Sequence, residues 1–509
     1  MLEEERFAQL QTRLRDLWPT MTTRSAPANR TVIVVHSLGV ELPPHLQHVI
    51  PAYEERFLCA IMSLLRQPDG HVIYVTSVPM LPRLVDYYFD LVPSADRADA
   101  RSRLQFLSVG DGSSRPLTEK VLERPRMIER IRRLLPNPER ALILPFMCGP
   151  AEVQLALRLG VALYGAPLHL KRFGTKVGGR ELFEQEGVPH APGVNGVRSV
   201  DDVVEAIGQL RASHRAMNEV IVKMDSGVGG LGNGIVRLAG AGDAKDIAGR
   251  VRAVQPDDTD LLPEAFLEQL DRQGGVVELR VSGAEFQSPS VQMRSGPSGE
   301  FELLSTHDQI LGGANGMTFL GCRFPAHPTY RQLITAEAVK IGRRLTREGM
   351  LGRFSVDFVV VRQSAGRWHP YAIEINLRSG GTTHPMLAML SLTDGTYDET
   401  TGDFIGVDGR QRSYVASDHV ESSAYHALTP DDLLDLAETT LRWDSERMSG
   451  TVFHLVSAIA AGGRTGVTAI DESAGGAERR FRAVSTALDE AVRSVTMPGA
   501  TLRTAGIAE

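Results

Sequence analysis

FSVDFVVV, residues 354–361, and YAIEINLR, residues 371–378, are two short apolar runs joined by a loop centred near Ala365 and Gly366. Runs of this length, rich in β-branched and aromatic residues, read as strands, and so short a loop makes them an antiparallel hairpin. Side chains alternate faces along a strand, so Glu374 and Asn376 project from the same face. Folding about the loop brings Asp357 beside Glu374. Two carboxylates and an amide oxygen then share one patch. An oxygen-only set of this kind suits Mg2+, a hard cation that shares its shell with substrate phosphates. Without a cation the carboxylates repel each other and one takes up a proton. The plain alternative is a row of solvated charges, against which the apolar flanks speak. A general acid–base pair is another, but nothing else in the hairpin points to hydrolysis.

Upstream lies IVKMDSGVGGLGNGIV, residues 221–236. Gly227, Gly229, Gly230, Gly232 and Gly234 let backbone N–H groups approach an anion closely, because no Cβ stands in the way. Lys223 ends the entering strand and can neutralise a phosphate. Gly227, Gly229 and Gly232 also match GxGxxG, but that fingerprint needs a helix next. Here a strand follows, Gly234–Leu238, with Asn233-Gly234 reading as a hairpin turn. Two strands bridged by glycines make a lid over phosphates, or in the bland reading a surface hairpin. Between the two signals comes VVELRVSGAEF, residues 276–286. Its strand edge can hydrogen-bond an adenine, and a carboxylate just beyond can accept both ribose hydroxyls. Alone, it is an ordinary strand carrying Glu278 and Glu285.

The surrounding chain is a mixture of α/β and α+β patterns. Residues 1–168 open with a short amphipathic helix and then alternate strands (Thr31–Val35, His71–Ser77, Leu104–Val109, Ala141–Pro145) with helices, which predicts an open, mostly parallel sheet. Residues 169–274 predict a small α+β subdomain. In it a helix runs from about Lys176 to Glu186, and a second over Asp201–Met217 opens with the capping box Ser199/Asp202. Residues 275–390 predict a β-rich unit interrupted by a helix from about Arg331 to Glu348. Residues 391–509 mix helix signals with the strand-like Gly466–Ile470.

The chain has 509 residues and a formal charge of −7, which argues against a nucleic-acid partner. No apolar run is long enough to cross a membrane. The acidic Met1–Arg6 lacks the order of a signal peptide. Cys59, Cys148 and Cys322 are too far apart for a CxxC site and suggest no disulfide framework, so a reducing, cytoplasmic setting is expected.

The order Lys176, Lys223 with its glycines, Glu278 with Glu285, then Asp357, Glu374 and Asn376 resembles the ATP-grasp superfamily over about residues 170–390. VELRVSGAEF is similar to the adenine- and ribose-binding stretch of D-alanine–D-alanine ligases. A narrower resemblance covers nearly the whole chain. YEERFL (53–58), VIYVTSVPMLPRLVDYY (72–88), RSRLQFLSVGD (101–111), PLTEKVLERPRMIERIR (116–132), GTKVGGRELFEQEGVP (174–189) and TGVTAI (465–470) resemble the ATP-grasp peptide ligases of the pheganomycin-biosynthesis type.

The resemblance implies a pre-ATP-grasp Rossmann-like domain, a two-part ATP-grasp fold and a small C-terminal domain. It implies an ADP-forming ligase that joins a small-molecule carboxylate to an amine or peptide through an acyl phosphate, in natural-product biosynthesis. ATP and two Mg2+ ions are the implied cofactors. Lys176 and Lys223 would contact phosphates, Glu278 and the backbone at Val281 adenine, and Glu285 the ribose. Asp357, Glu374 and Asn376 would hold Mg2+. Arg353 and Arg378 flank that cluster, and Arg378 is the candidate for the acyl-phosphate oxyanion. Lys171 rivals Lys176, which better fits GTK before a helix. The tail RSGGTTHP (378–385) departs from the NTxPG of D-alanine ligases, so D-alanine chemistry is not expected. His307 and His384 are read as structural. Similar enzymes are often dimers, which makes a homodimer the expected assembly. The rival readings are an ATP-grasp ligase with a non-peptide nucleophile, a non-catalytic nucleotide-binding protein, and a Rossmann oxidoreductase, for which the stretch after Val35 lacks the glycines.

Overall fold

The computed structural model describes residues 3–22, 30–39, 44–65, 69–91, 97–215, 217–227, 232–313, 315–363 and 366–496. Three sheets organise it. The first is parallel, in the order Leu104–Ser108, Gly70–Thr76, Arg30–Val35, Ala141–Pro145, Ala162–Leu163. Its central strand, RTVIVV, is buried at every position. A parallel strand covered by helices on both faces needs that near-continuous apolar run. The expected amphipathic start is two helices, Glu3–Thr12 and Leu14–Thr22.

The second sheet is antiparallel, in the order Gly193–Val197, Gly275–Leu279, Glu219–Met224, Asn233–Arg237, Gln255–Pro256. Two helices of this unit follow from local chemistry. Thr175 Oγ1 accepts the Gly178 amide at 3.1 Å and starts Lys176–Gln185. Ser199 and Asp202 cap Val200–Ser213 reciprocally, at 3.1 and 2.9 Å. One local expectation fails. Asn233 and Gly234 lie inside a strand, with Asn233 paired to Lys223. Gly234 serves packing instead: a Cβ there would lie 2.6 Å from Val254 and 2.9 Å from Phe266. Residues 225–232 join the two strands, and 228–231, including Gly229 and Gly230, lie outside the described residues.

The third sheet has nine strands. Gly352–Arg362 is flanked on one side by Glu285–Gln287 and Pro289–Ser295 and on the other by Trp368–Asn376. From Pro289–Ser295 the order continues through Phe301–Gly312 and Thr318–Phe324, the latter not foreseen, to Ser413–Glu421, Arg464–Asp471 and Gly450–His454. These last three strands therefore extend the sheet that carries the carboxylate hairpin, while Thr396–Tyr397 and Phe404–Ile405 pair with each other as a separate ribbon. The helix Pro328–Arg347 covers one face with Ile334, Ala338, Ile341 and Leu345, all fully buried at the helical spacing. No helix among the described residues is long and apolar enough to cross a membrane.

Close approach of backbone makes Gly275 a test of this arrangement. A Cβ there would sit 2.2 Å from the Lys223 carbonyl oxygen and 2.8 Å from Leu270. Gly275→Ala should cost about 1–3 kcal/mol and lower the thermal midpoint. Gly208→Ala, where nothing lies within 4 Å of the added carbon, should be neutral or stabilising, because alanine favours a helix interior by roughly 0.5–1 kcal/mol. Thermal unfolding of the two variants checks both directions.

Candidate active site

A cleft of about 1890 Å3 opens between the second and third sheets and is closed at one end by the first. Its walls include Lys223, Glu278 and Val281 from the small sheet side, Asp357, Glu374 and Asn376 from the hairpin, and Arg378 beyond it. A drug-sized ligand typically fills about 300–1,000 Å3, so this space holds more than one molecule.

The hairpin register decides the carboxylate patch. Asp357 pairs directly with Glu374, and Ser355 with Asn376. Asn376 donates to Asp357 Oδ2 at 3.1 Å. Lys176 reaches Glu374 Oε2 at 2.7 Å from the first residue of its helix. The Lys176 and Val177 amides both bind Asp225, through its carbonyl at 3.1 Å and its carboxylate at 2.8 Å. The root of the glycine loop is thereby clamped to the helix that presents Lys176. Burial first, and then the neighbouring Glu374, pushes Asp357 up to about 6, while Ser290, Gln309 and Arg378 act in the opposite direction. Two adjacent, half-buried carboxylates with an amide fit a hard dication, because one removes the repulsion that otherwise holds a proton on Asp357.

A second cluster lies on the small sheet. Glu278 Oε2 meets Lys223 at 2.5 Å and Oε1 meets Arg180 at 2.6 Å, with all three side chains nearly inaccessible. Burial opposes the charge on Glu278, but Lys223 and Arg180 outweigh it and hold the carboxyl below its usual range. One carboxylate between two cations leaves an excess positive charge beside the cleft. Residues 280–284, with Val281 on the cleft wall, join the strand Gly275–Leu279 of this sheet to Glu285–Gln287 of the third.

Of the expected residues, Lys176 joins the patch through Glu374 without lining the cleft, Gly227 and Gly232 do not line it, and Glu285 and Arg353 lie away from it. Glu285 is exposed and binds Arg362. Arg353 shares a face parity with Asp357 but lies four residues along the strand, opposite Arg294 and near Tyr164 and Glu302. Lys171 is exposed on the turn Leu168–Gly174. His307 is buried, bonded to the Tyr414 hydroxyl at 2.5 Å, and held by burial at about 3. Several partners were not foreseen. Arg180 stands four residues after Lys176, and that helical spacing was a usable signal. Ser290 and Gln309, which bond Asp357, and Arg56 and Phe146, which pack near Arg378, come together only through tertiary structure.

The sequence also has relatives. Residues 167–240 and 254–400 match a family described as IQCH-like, ATP-grasp. The L-propargylglycine–L-glutamate ligase of Streptantibioticus cattleyicolor is 30% identical over 442 residues, covering 85% of this chain and 89% of that protein. The chain belongs to the ATP-grasp ligases. It is thus an enzyme of the ADP-forming, carbon–nitrogen-bond-forming class. IQ motif-containing protein H of Danio rerio is 24% identical over 72% of this chain but only 39% of its own length. Two solved structures share the fold. N5-carboxyaminoimidazole ribonucleotide synthetase with ADP has a TM-score of 0.51 at 12% identity, over 92% of this chain and 99% of that one. Biotin carboxylase of Campylobacter jejuni, with β,γ-ATP, has a TM-score of 0.55 at 13% identity, over 92% and 95%. The mixed α/β fold with parallel and antiparallel sheets, shared with these ATP-grasp enzymes, is the class the sequence predicts.

The raised Asp357 gives a signed pH effect in this ligase. Its folded pKa, about 6, lies above its unfolded value, so the protonated form is favoured by folding. The stability linked to this group is present below the unfolded value of about 4 and is lost as pH rises through about 6, a change on the order of 2–3 kcal/mol. In Mg2+-free buffer, Asp357→Asn should therefore be more stable than the parent at pH 7, with a gap that narrows towards pH 5. Thermal midpoints of both proteins across that range test it, and added Mg2+ should stabilise the parent selectively.

Proposed function

We propose that this ligase forms a peptide bond between two amino-acid-like substrates, through an acyl phosphate made at the expense of ATP. The observation that carries the proposal is the Asp357–Glu374–Asn376 patch in one cleft with Lys223 and Glu278, the latter backed by Arg180. The peptide acceptor is supported by the relative, whose name gives two amino acids as substrates. A role in natural-product biosynthesis is part of the same proposal. The four-part division at about residues 168, 274 and 390 belongs to this reading.

In the proposed reaction a substrate carboxylate oxygen attacks the γ-phosphorus of ATP. The bond from that phosphorus to the bridging oxygen breaks, and ADP leaves. Lys176 and Lys223 neutralise phosphate oxygens, and the glycines around Gly227 and Gly232 admit their close approach. The strand end at Val281 offers backbone groups to the adenine, beside Glu278. Asp357, Glu374 and Asn376 would hold Mg2+, which when bound spreads the charge of the transferring phosphoryl group. The amine then attacks the acyl carbon, the C–O bond to phosphate breaks, and the amine proton passes to solvent or phosphate. Arg378, half-buried on the cleft wall beside the patch, faces the oxyanion of the tetrahedral step. Water is kept from the acyl phosphate by closure over the cleft.

ADP release from ATP and Mg2+, measured with a panel of amino acids as acid and as acceptor, should require both partners. Asp357→Asn, Glu374→Gln and Lys223→Ala should each lower that rate by about a hundredfold or more while circular dichroism stays unchanged. Full activity in all three would remove the site from consideration. ADP release that needs an acid and ammonia or a thiol, but no amino acid, would overturn the peptide acceptor alone.

A further inference from the structure

Behind the loop RSGGTTHP, outside the carboxylate patch, three buried side chains converge. His384 is the second residue of the helix Thr383–Thr393, Asp418 lies in the strand Ser413–Glu421, and His454 ends the strand Gly450–His454. His384 Nε2 lies 3.0 Å from His454 Nε2, and the two nitrogens lie 3.1 and 2.8 Å from the same oxygen, Asp418 Oδ1. All three side chains are at most 7% exposed.

Hydrogen bonding alone does not satisfy this triangle. Each Nε2 carries either one proton or one lone pair. With protons on both nitrogens, two N–H groups crowd each other over a single oxygen. With a lone pair on either, that lone pair faces the carboxylate oxygen. Every assignment leaves one edge repulsive, and a low-dielectric interior screens that repulsion poorly. A cation at the centre makes all three contacts attractive. Ligands at about 2.0–2.1 Å around a tetrahedral ion are spaced by about 3.3 Å, so the triangle needs to widen by only a few tenths of an ångström.

The backbone is shaped to bring these groups together. Asp418 sits where the ladder to Arg464–Asp471 loses register, between Ser417 and Val420. Such a bulge re-aims a side chain. Gly466, opposite His454, leaves room for the imidazole: a Cβ there would lie 2.4 Å from Nε2 and 2.1 Å from Cδ2. The second oxygen of Asp418 is held by Arg56 Nη1 at 3.1 Å, the kind of outer partner that fixes a ligating carboxylate. Nδ1 of His384 has no protein partner, so its proton goes unpaired when Nε2 takes a metal; the metal–ligand bonds outweigh that loss.

We propose that His384, Asp418 and His454 bind one transition-metal dication of the Zn2+ class, with a fourth position for water. Two imidazoles and one carboxylate select such an ion over Mg2+. The site is structural. It pins the start of the helix Thr383–Thr393, within RSGGTTHP, to the C-terminal strands and, through Arg56, to the N-terminal segment, so it fixes the turn that carries Arg378. It does not depend on the reaction proposed above.

The test is the metal content of the full, tag-free chain after desalting, by mass spectrometry. Close to one equivalent of Zn2+ is expected, retained in Asp357→Asn and lost in His384→Ala and His454→Ala. Stripping the metal should lower the thermal midpoint of the parent, and Zn2+ should restore it. Because either histidine variant can fail to fold, Co2+ is also titrated into the stripped parent, where visible d–d bands saturating at one equivalent are expected. No stoichiometric metal, no recovery with Zn2+ and no Co2+ bands would overturn the site and leave a buried hydrogen-bonded network.

Discussion

Asp357 and Glu374 face each other across adjacent antiparallel strands, and both belong to a region largely removed from water. The two charges repel, and the register of the hairpin gives neither a way to leave. What balances them comes from three separate places: Lys176 from a helix in the small subdomain, Arg378 from just beyond the hairpin, and hydrogen bonds from Ser290 and Gln309 on the third sheet. A site held in this way is coupled to its surroundings. Lys176 reaches Glu374 only because its helix starts at Thr175, and that start is fastened to Asp225 at the root of the glycine loop. A change in charge at the patch is therefore felt first by the helix and the loop above it.

The Lys223–Glu278–Arg180 cluster answers the patch from the other wall. A buried ion pair contributes little net stability, since desolvation offsets most of the attraction. Its value here is positional. Glu278 holds the Lys223 ammonium at a fixed point, and Arg180 supplies the charge that leaves the cluster net positive. The cleft thus has an anionic wall on the large sheet and a cationic one on the small sheet. A triphosphate with its metal is complementary to both. Neither sheet alone presents that pair of charges, and the short connection at residues 280–284 ties one to the other.

Features decided within a few residues are legible in the sequence. The helix at Lys176, the Ser199/Asp202 cap and the pairing of Asp357 with Glu374 all depend on near neighbours and strand parity. Asn233-Gly234 misleads because the same dipeptide suits a turn and a tightly packed strand, and only Val254 and Phe266 decide between them. Parity also places Arg353 with Asp357, yet four residues of strand span about 13 Å, enough to set the arginine beside Tyr164 instead. Glu285 begins an edge strand, and the arginine that occupies it, Arg362, lies across the ladder. Arg56 and Asp418 are 362 positions apart, a separation at which no local rule applies.

The sheet continues beyond the grasp, and this extension shapes the far end of the cleft. Ser413–Glu421 pairs with Thr318–Phe324, so Asp418, His419 and Glu421 are carried to a wall that also contains Tyr53 and Arg56 from the first domain. Arg464 ties the two sources together, donating to the Asp418 carbonyl at 2.5 Å and to the Tyr53 hydroxyl at 2.9 Å. The end of the cleft that holds Lys223, Glu278, Asp357 and Glu374 is built from the second and third sheets. The opposite end is built from segments that the grasp only brings into contact. The strands that supply Asp418 and Arg464 are separated from Gly352–Arg362 by three others, so the Asp357–Glu374 register is set apart from them. The far end of the cleft is therefore lined by residues from both ends of the chain, where the pattern that identifies the ATP-grasp core has no reach.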